Sequence, residues 1–149
     1  MDGTTDTTRT VHFGTPTEDE KDMYTKVLIG NLNIKMTKWP EYSRLSGADM
    51  DLLARQPLWD VGRNFNHGTG HGVGYYLNVH EGPQGISRLR KTVLVAGMNC
   101  TDEPGYYEAD AFGIRIEDLL FVVPSEYEGF LEWENVTLVP YDRNLIDVS

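Results

Sequence analysis

The chain has 149 residues with 13 Lys or Arg and 23 Asp or Glu, a formal net charge of −10, a length that suits one domain, 1–149, with no internal boundary. A hydrophobic content of 40% supports a packed core and excludes wholesale disorder. The acidic balance argues against a nucleic-acid partner, which needs a basic stripe for phosphates, and permits a divalent-metal protein, because carboxylates are ligands for hard cations.

Residues 8–13 (Thr-Arg-Thr-Val-His-Phe) are rich in β-formers and stop at Gly14, which predicts a short strand. Thr17 with Glu20 three residues later is a capping box, and Met23, Val27 and Leu28 recur at helical spacing, so a helix is expected to about Ile34. Ser46-Gly47-Ala48-Asp49 opens a second helix, which Pro57 is expected to kink or restart near Trp59. The rest reads as strands and turns, with strand candidates at residues 73–80, 92–101, 112–123 and 136–139 and a surface excursion over 124–135. The order predicts an α+β fold, helices packed on one face of a curved antiparallel sheet. No run of about 18 apolar residues spans a membrane. The start lacks the basic and apolar regions of a signal peptide, and the lone Cys100 suits a reducing compartment, so a cytoplasmic location is expected.

Two constellations could carry chemistry. In the first, His67-Gly-Thr-Gly-His71-Gly-Val-Gly is followed by His80. Four glycines in eight residues exclude a helix here and let the backbone approach a ligand or a second chain segment closely; the plainer reading is a turn with surface histidines. In the second, Glu103 and Glu117 would lie opposite each other in a hairpin centred near Asp110, with Cβ atoms roughly 5 Å apart. Two ionised carboxylates that close repel unless a cation or a shared proton holds them, and imidazole with carboxylates suits manganese, zinc or cobalt. Asp102 and Asp118 share that register on the other face, so the spacing alone does not select one pair, and both could simply decorate strand ends. Arg115 would share a face with Glu117 and orient a carboxylate, or make an ordinary ion pair. Cys100 reads as a small buried hydrophobe ahead of a Cys-His nucleophile. Trp39, Trp59 and Trp133 read as core or rim aromatics.

Several blocks, in order along almost the whole chain, resemble the Xaa-Pro aminopeptidases (aminopeptidase P): Asp2 to Pro16, His67 to Gly74, Leu77-Asn-Val-His80-Glu-Gly-Pro83, Thr101-Asp-Glu103-Pro-Gly-Tyr-Tyr-Glu108 and Phe112-Gly-Ile-Arg-Ile-Glu117. The resemblance implies a pita-bread metallopeptidase fold, incomplete at both ends, that releases an N-terminal residue when proline follows it. It implies a pair of metal ions, usually Mn2+ with Zn2+ or Co2+ as alternatives. Carried over residue by residue, it makes Asp6, His71, Glu103 and Glu117 metal ligands, with Asp6 and Glu117 bridging. Glu103 becomes the general base, and His67 and His80 the catalytic, substrate-binding histidines. The family's first metal Asp would fall upstream of Met1, so one complete metal position, a weaker second one and an impaired activity are expected. The alternative is an inactive fragment or a non-enzymatic pita-bread binding module, against which the retained ligands argue. Implied partners are peptides with penultimate proline and, as often in the family, a second copy of the chain; no membrane or nucleic acid is expected.

Overall fold

A computed structural model describes residues 3–148; Asp2, the first residue of the family-like opening segment, lies outside them. Helix α1 (Glu18–Lys35) starts on a complete capping box, Thr17 accepting from the Glu20 backbone and Glu20 accepting from that of Thr17. Helix α2 (Gly47–Trp59) starts on a second box, Ser46 with Asp49. Pro57 neither stops nor restarts α2, which runs on to Trp59. The carbonyl that Pro57 cannot serve, on Leu53, accepts instead from the Asn33 amide of α1 at 3.3 Å, which offsets the lost ladder bond.

A four-stranded antiparallel sheet has the order β1-β8-β7-β4, with β1 at Trp39–Pro40, β4 at Asn99–Asp102, β7 at Asp118–Pro124 and β8 at Phe130–Asn135. Two further antiparallel pairs are β2 (Gly70–His71) with β3 (Gly85–Ile86), and β5 (Gly105–Glu108) with β6 (Phe112–Arg115). Both helices lie on one side of this curled assembly, as the α+β reading expects. One core joins Ile34, Trp39, Met50, Ala54, Leu120, Val122 and Trp133; a second joins Tyr24, Val27, Leu58, Phe65, Tyr106, Ile114 and Ile116. Cys100 sits in the first core, fully buried, and burial pushes its thiol up to about 12, so it is a packing residue and not a nucleophile.

Five predicted strands differ from those observed, the one over 112–123 breaking at residues 116–117 into β6 and β7. Residues 8–13 make only the bridge Thr8–Glu117. Beyond it the Thr10 hydroxyl both donates to and accepts from the Arg115 backbone, so a side chain replaces the ladder. Residues 73–80 form a loop, because the Asn99 side chain pairs with both backbone groups of Val73. The 92–101 strand shrinks to β4. No strand covers 136–139; its place is taken by β8, inside the supposed surface excursion. Leu131 and Trp133 point inward while Glu134 is exposed, an alternation legible in sequence but masked by the turn residues before it.

The helices meet closely at Gly30, where an added Cβ would stand 2.3 Å from the Ala54 carbonyl oxygen. A mid-helix Gly→Ala change ordinarily stabilises by up to about 1 kcal/mol; here overpacking reverses the sign. Gly30→Ala is expected to destabilise by about 1–3 kcal/mol, read as a lowered urea midpoint.

Candidate metal centre

The predicted hairpin register is the observed one: Gly105 pairs with Arg115 and Asp102 with Asp118. The ladder breaks between those pairs, at the two glutamates. The Glu103 amide donates to the Thr69 carbonyl at 2.7 Å and the Glu117 amide to the Thr8 carbonyl at 3.0 Å. Leaving the ladder turns both carboxylates toward β2. There, ligand atoms of His71, Glu103 and Glu117 all lie within 4.8 Å of one another, as do those of Asp6, His71 and His80.

His71 belongs to both groups. Its Nδ1 donates to the Gly72 carbonyl at 2.9 Å, which leaves Nε2 facing Glu103 Oε1 at 3.2 Å and Asp6 Oδ2 at 3.4 Å. In the neutral ring that nitrogen is an acceptor surrounded by acceptors, an arrangement that requires a proton or a cation. Thr101 ties the elements together: its hydroxyl accepts from the His71 amide at 3.0 Å and donates to Glu103 at 3.1 Å. Thr8 donates to Glu117, and Arg115 stands 3.7 Å from Glu103. Thr8 carries no local sequence signal for this role, because it reaches Glu117 across 109 positions, and Thr101 reaches His71 across 30.

The two acidic pairs of the hairpin are neutralised differently. Asp118 is met by Arg9 and by Lys35 at 2.8 Å, while Asp102 is wholly buried with both carboxyl oxygens unpartnered among the described residues. Burial, then Asp118, raises the Asp102 pKa well above the ordinary range, which favours its protonated form. Among the described residues the Glu103–Glu117 side has no lysine partner, and its ion-pair contacts are His71 at 3.2 Å and Arg115 at 3.7 Å, both to Glu103. Burial raises Glu117 to about 7; the Thr8 hydrogen bond opposes this and the charges of Glu103 and Asp6 add to it. Burial also works against ionised Glu103, but His71, Thr101 and Arg115 outweigh it and hold its pKa low. For His71, burial disfavours the imidazolium while Glu103 and the Gly72 carbonyl raise its pKa overall.

A pH dependence follows. Glu117 binds its proton more tightly folded, at about 7, than unfolded near 4.5. Its contribution to stability is therefore complete below pH 4.5 and lost as pH rises from 4.5 through 7. Metal-free protein is expected to show a urea midpoint that falls across that window, and Glu117→Gln is expected to flatten the fall.

His67 stands apart from both ligand groups. Its Nδ1 donates to the Gly68 carbonyl and its Nε2 accepts from the Tyr107 hydroxyl, each at 2.8 Å, while Tyr107 accepts from Arg115 Nε at 2.9 Å. His80 is exposed and its ring centroid lies 4.1 Å from that of His71, so geometry admits it as a ligand as well as a substrate contact. His12 lies elsewhere, near Glu20.

Residues 1–124 match metallopeptidase family M24. The chain is 52% identical over 156 residues to Xaa-Pro aminopeptidase 1 of Dictyostelium discoideum, taking in 100% of this chain and 25% of that protein. It is 50% identical over 151 residues to human Xaa-Pro aminopeptidase 2, with 99% and 22% covered. Among solved structures, the X-prolyl aminopeptidase of Caenorhabditis elegans, described as a cytosolic enzyme with a di-nuclear active site, superposes with a TM-score of 0.92 at 42% identity, over 98% of this chain and 24% of that one. The Xaa-Pro dipeptidase of Bacillus anthracis gives 0.77 at 35% identity, over 93% and 36%. The chain thus spans about a quarter of the length of the curated relatives it matches.

Proposed function

From its membership of metallopeptidase family M24, with a pita-bread fold, we propose that the chain serves a metal-dependent aminopeptidase that releases the first residue of peptides with proline in second position. The observation that carries this is the convergence of His71, Glu103 and Glu117 from three chain segments onto one point. The donor set fits the group: one imidazole nitrogen and buried carboxylates without a lysine partner suit a hard or borderline divalent cation. We assign Asp6, His71, Glu103 and Glu117 as ligands and Mn2+ as the metal. A divalent cation held there would supply an activated water near neutral pH and Lewis-acid polarisation of the scissile carbonyl.

The chain's own residues would then do the following. Glu103, kept ionised by His71 and Arg115, takes the proton of the attacking water. Arg115 holds Glu103 from 3.7 Å and so limits its rotation. His67, its Nδ1 tied to Gly68, presents Nε2 toward the substrate when Tyr107 yields, and His80 faces the same space from the exposed loop. The X-Pro bond has no N–H, so neither histidine needs to accept from it, and selection falls to ring shape and the free amine. The reading also places the protein in the cytosol, which its nematode relative supports, and no described helix is long and apolar enough to cross a membrane.

The test is release of the first residue from an Arg-Pro-Pro peptide with added Mn2+. Glu103→Gln is expected to lower the rate about 10²–10⁴-fold, and the Arg-Ala-Pro peptide is expected to be refused. Equal cleavage of both peptides, or an undiminished rate in Glu103→Gln, overturns the reading.

A further inference from the structure

We infer that Asp51 and Arg55 of α2 are positioning residues that hold the loop carrying His67 in register with Glu103. Arg55 turns both terminal nitrogens of its guanidinium to that loop: Nη1 donates to the Phe65 carbonyl at 2.7 Å and to Asn64 Oδ1 at 3.0 Å, and Nη2 donates to the His67 carbonyl at 2.7 Å. The same guanidinium lies 4.0 Å over the Phe65 ring, which in turn packs 4.9 Å from the His67 ring. One side chain therefore fixes both the backbone and the ring stack around His67.

Asp51 closes the clamp. Its Oδ2 accepts from Arg55 Nε at 2.9 Å, and its Oδ1 accepts from the Thr69 hydroxyl. The Thr69 carbonyl then accepts from the Glu103 amide at 2.7 Å. A single buried carboxylate thus connects the helix, the entry of the histidine loop and the strand break that turns Glu103 toward His71. Asp51 is 5% exposed; at such a site a hydrogen-bonded ion pair gives orientation, while a lysine in place of Arg55 offers a point charge without the planar set of donors. The functional meaning of the clamp rests on the reading of His67 and Glu103 given above, but its test does not.

The test uses long-range 1H–15N spectra of the metal-free 149-residue protein carrying Arg55→Lys or Asp51→Asn. Gln56→Ala, an exposed change on the same helix, is the comparison. The wild-type His67 ring is expected to show one tautomer, protonated at Nδ1. In both clamp variants the separation of its two nitrogen shifts is expected to shrink by about half or more, toward the average of a free imidazole, with His12 unmoved and the urea midpoint close to that of Gln56→Ala. An unchanged His67 signature in either folded variant overturns the inference. So does loss of the native His12 signals in both, which would mark the pair as structural only. Failure of the metal reading shows separately, in Mn2+ titration of the His71→Ala protein, and leaves the His67 signature unaffected.

Discussion

His71→Ala is expected to lower Mn2+ affinity at this centre by about 100-fold or more, the upper end of what losing even an outer-shell partner costs, read by calorimetric titration at pH 7.5. His71 is the one residue shared by both candidate ligand groups. It is also the group whose loss leaves Glu103 and Glu117 with Arg115, 3.7 Å from Glu103, as the remaining ion-pair partner among the described residues. A carboxylate-only remainder would still attract a hard cation, but without the nitrogen that favours manganese or zinc over calcium. Uptake should weaken further below pH 7, because Glu117, raised to about 7 mainly by its burial, must lose its proton to bind metal. Affinity within about threefold of wild type in a folded His71→Ala protein (under 1 kcal/mol by the tenfold-per-1.4 rule) would sink the assignment of all four ligands.

The second large effect is expected from a residue with no side chain. A Cβ on Gly70 would stand 1.8 Å from the Thr101 carbonyl oxygen, backbone against backbone across β2 and β4. Neither strand can give way without moving its neighbours, since His71 and Thr101 are joined by the 3.0 Å hydrogen bond that also orients Glu103. Gly70→Ala is expected to cost about 3 kcal/mol, at the top of the overpacking range, and to depress metal affinity along with the denaturation midpoint. Gly68→Ala provides the contrast within the same glycine run. Its Cβ would meet nothing nearer than the Ser87 Cβ at 3.5 Å, so a stability change within about 0.5 kcal/mol is expected. Equal destabilisation by both substitutions would show that the run matters for flexibility and not for close approach.

Much of this centre was legible beforehand because it depends on local patterns. The glycine density around His67 and His71 announced a close backbone approach, and Gly70 makes one. The hairpin centred near Asp110 set a register that the pairs Gly105–Arg115 and Asp102–Asp118 obey. Both capping boxes opened helices where expected. Two of the misplaced strands fail for a common reason: a side chain elsewhere took over the backbone's hydrogen bonds, Thr10 for Arg115 and Asn99 for Val73. Such substitutions leave no periodic trace.

The sequence by itself determined which residue types stand ready: two glutamates in hairpin register, histidines in a glycine-rich run, and the family likeness that joins them. Only the tertiary structure decided which acidic pair lysine and arginine neutralise closely and which one faces an imidazole. Lys35 arrives from α1 and Arg9 from the opening segment, and both go to Asp118. The Glu103–Glu117 side receives His71 and its closest ion pair instead comes from an imidazole. That choice is made by chain segments more than 30 positions apart meeting in space, and the electrostatic demand of two buried carboxylates is what makes the meeting a candidate site.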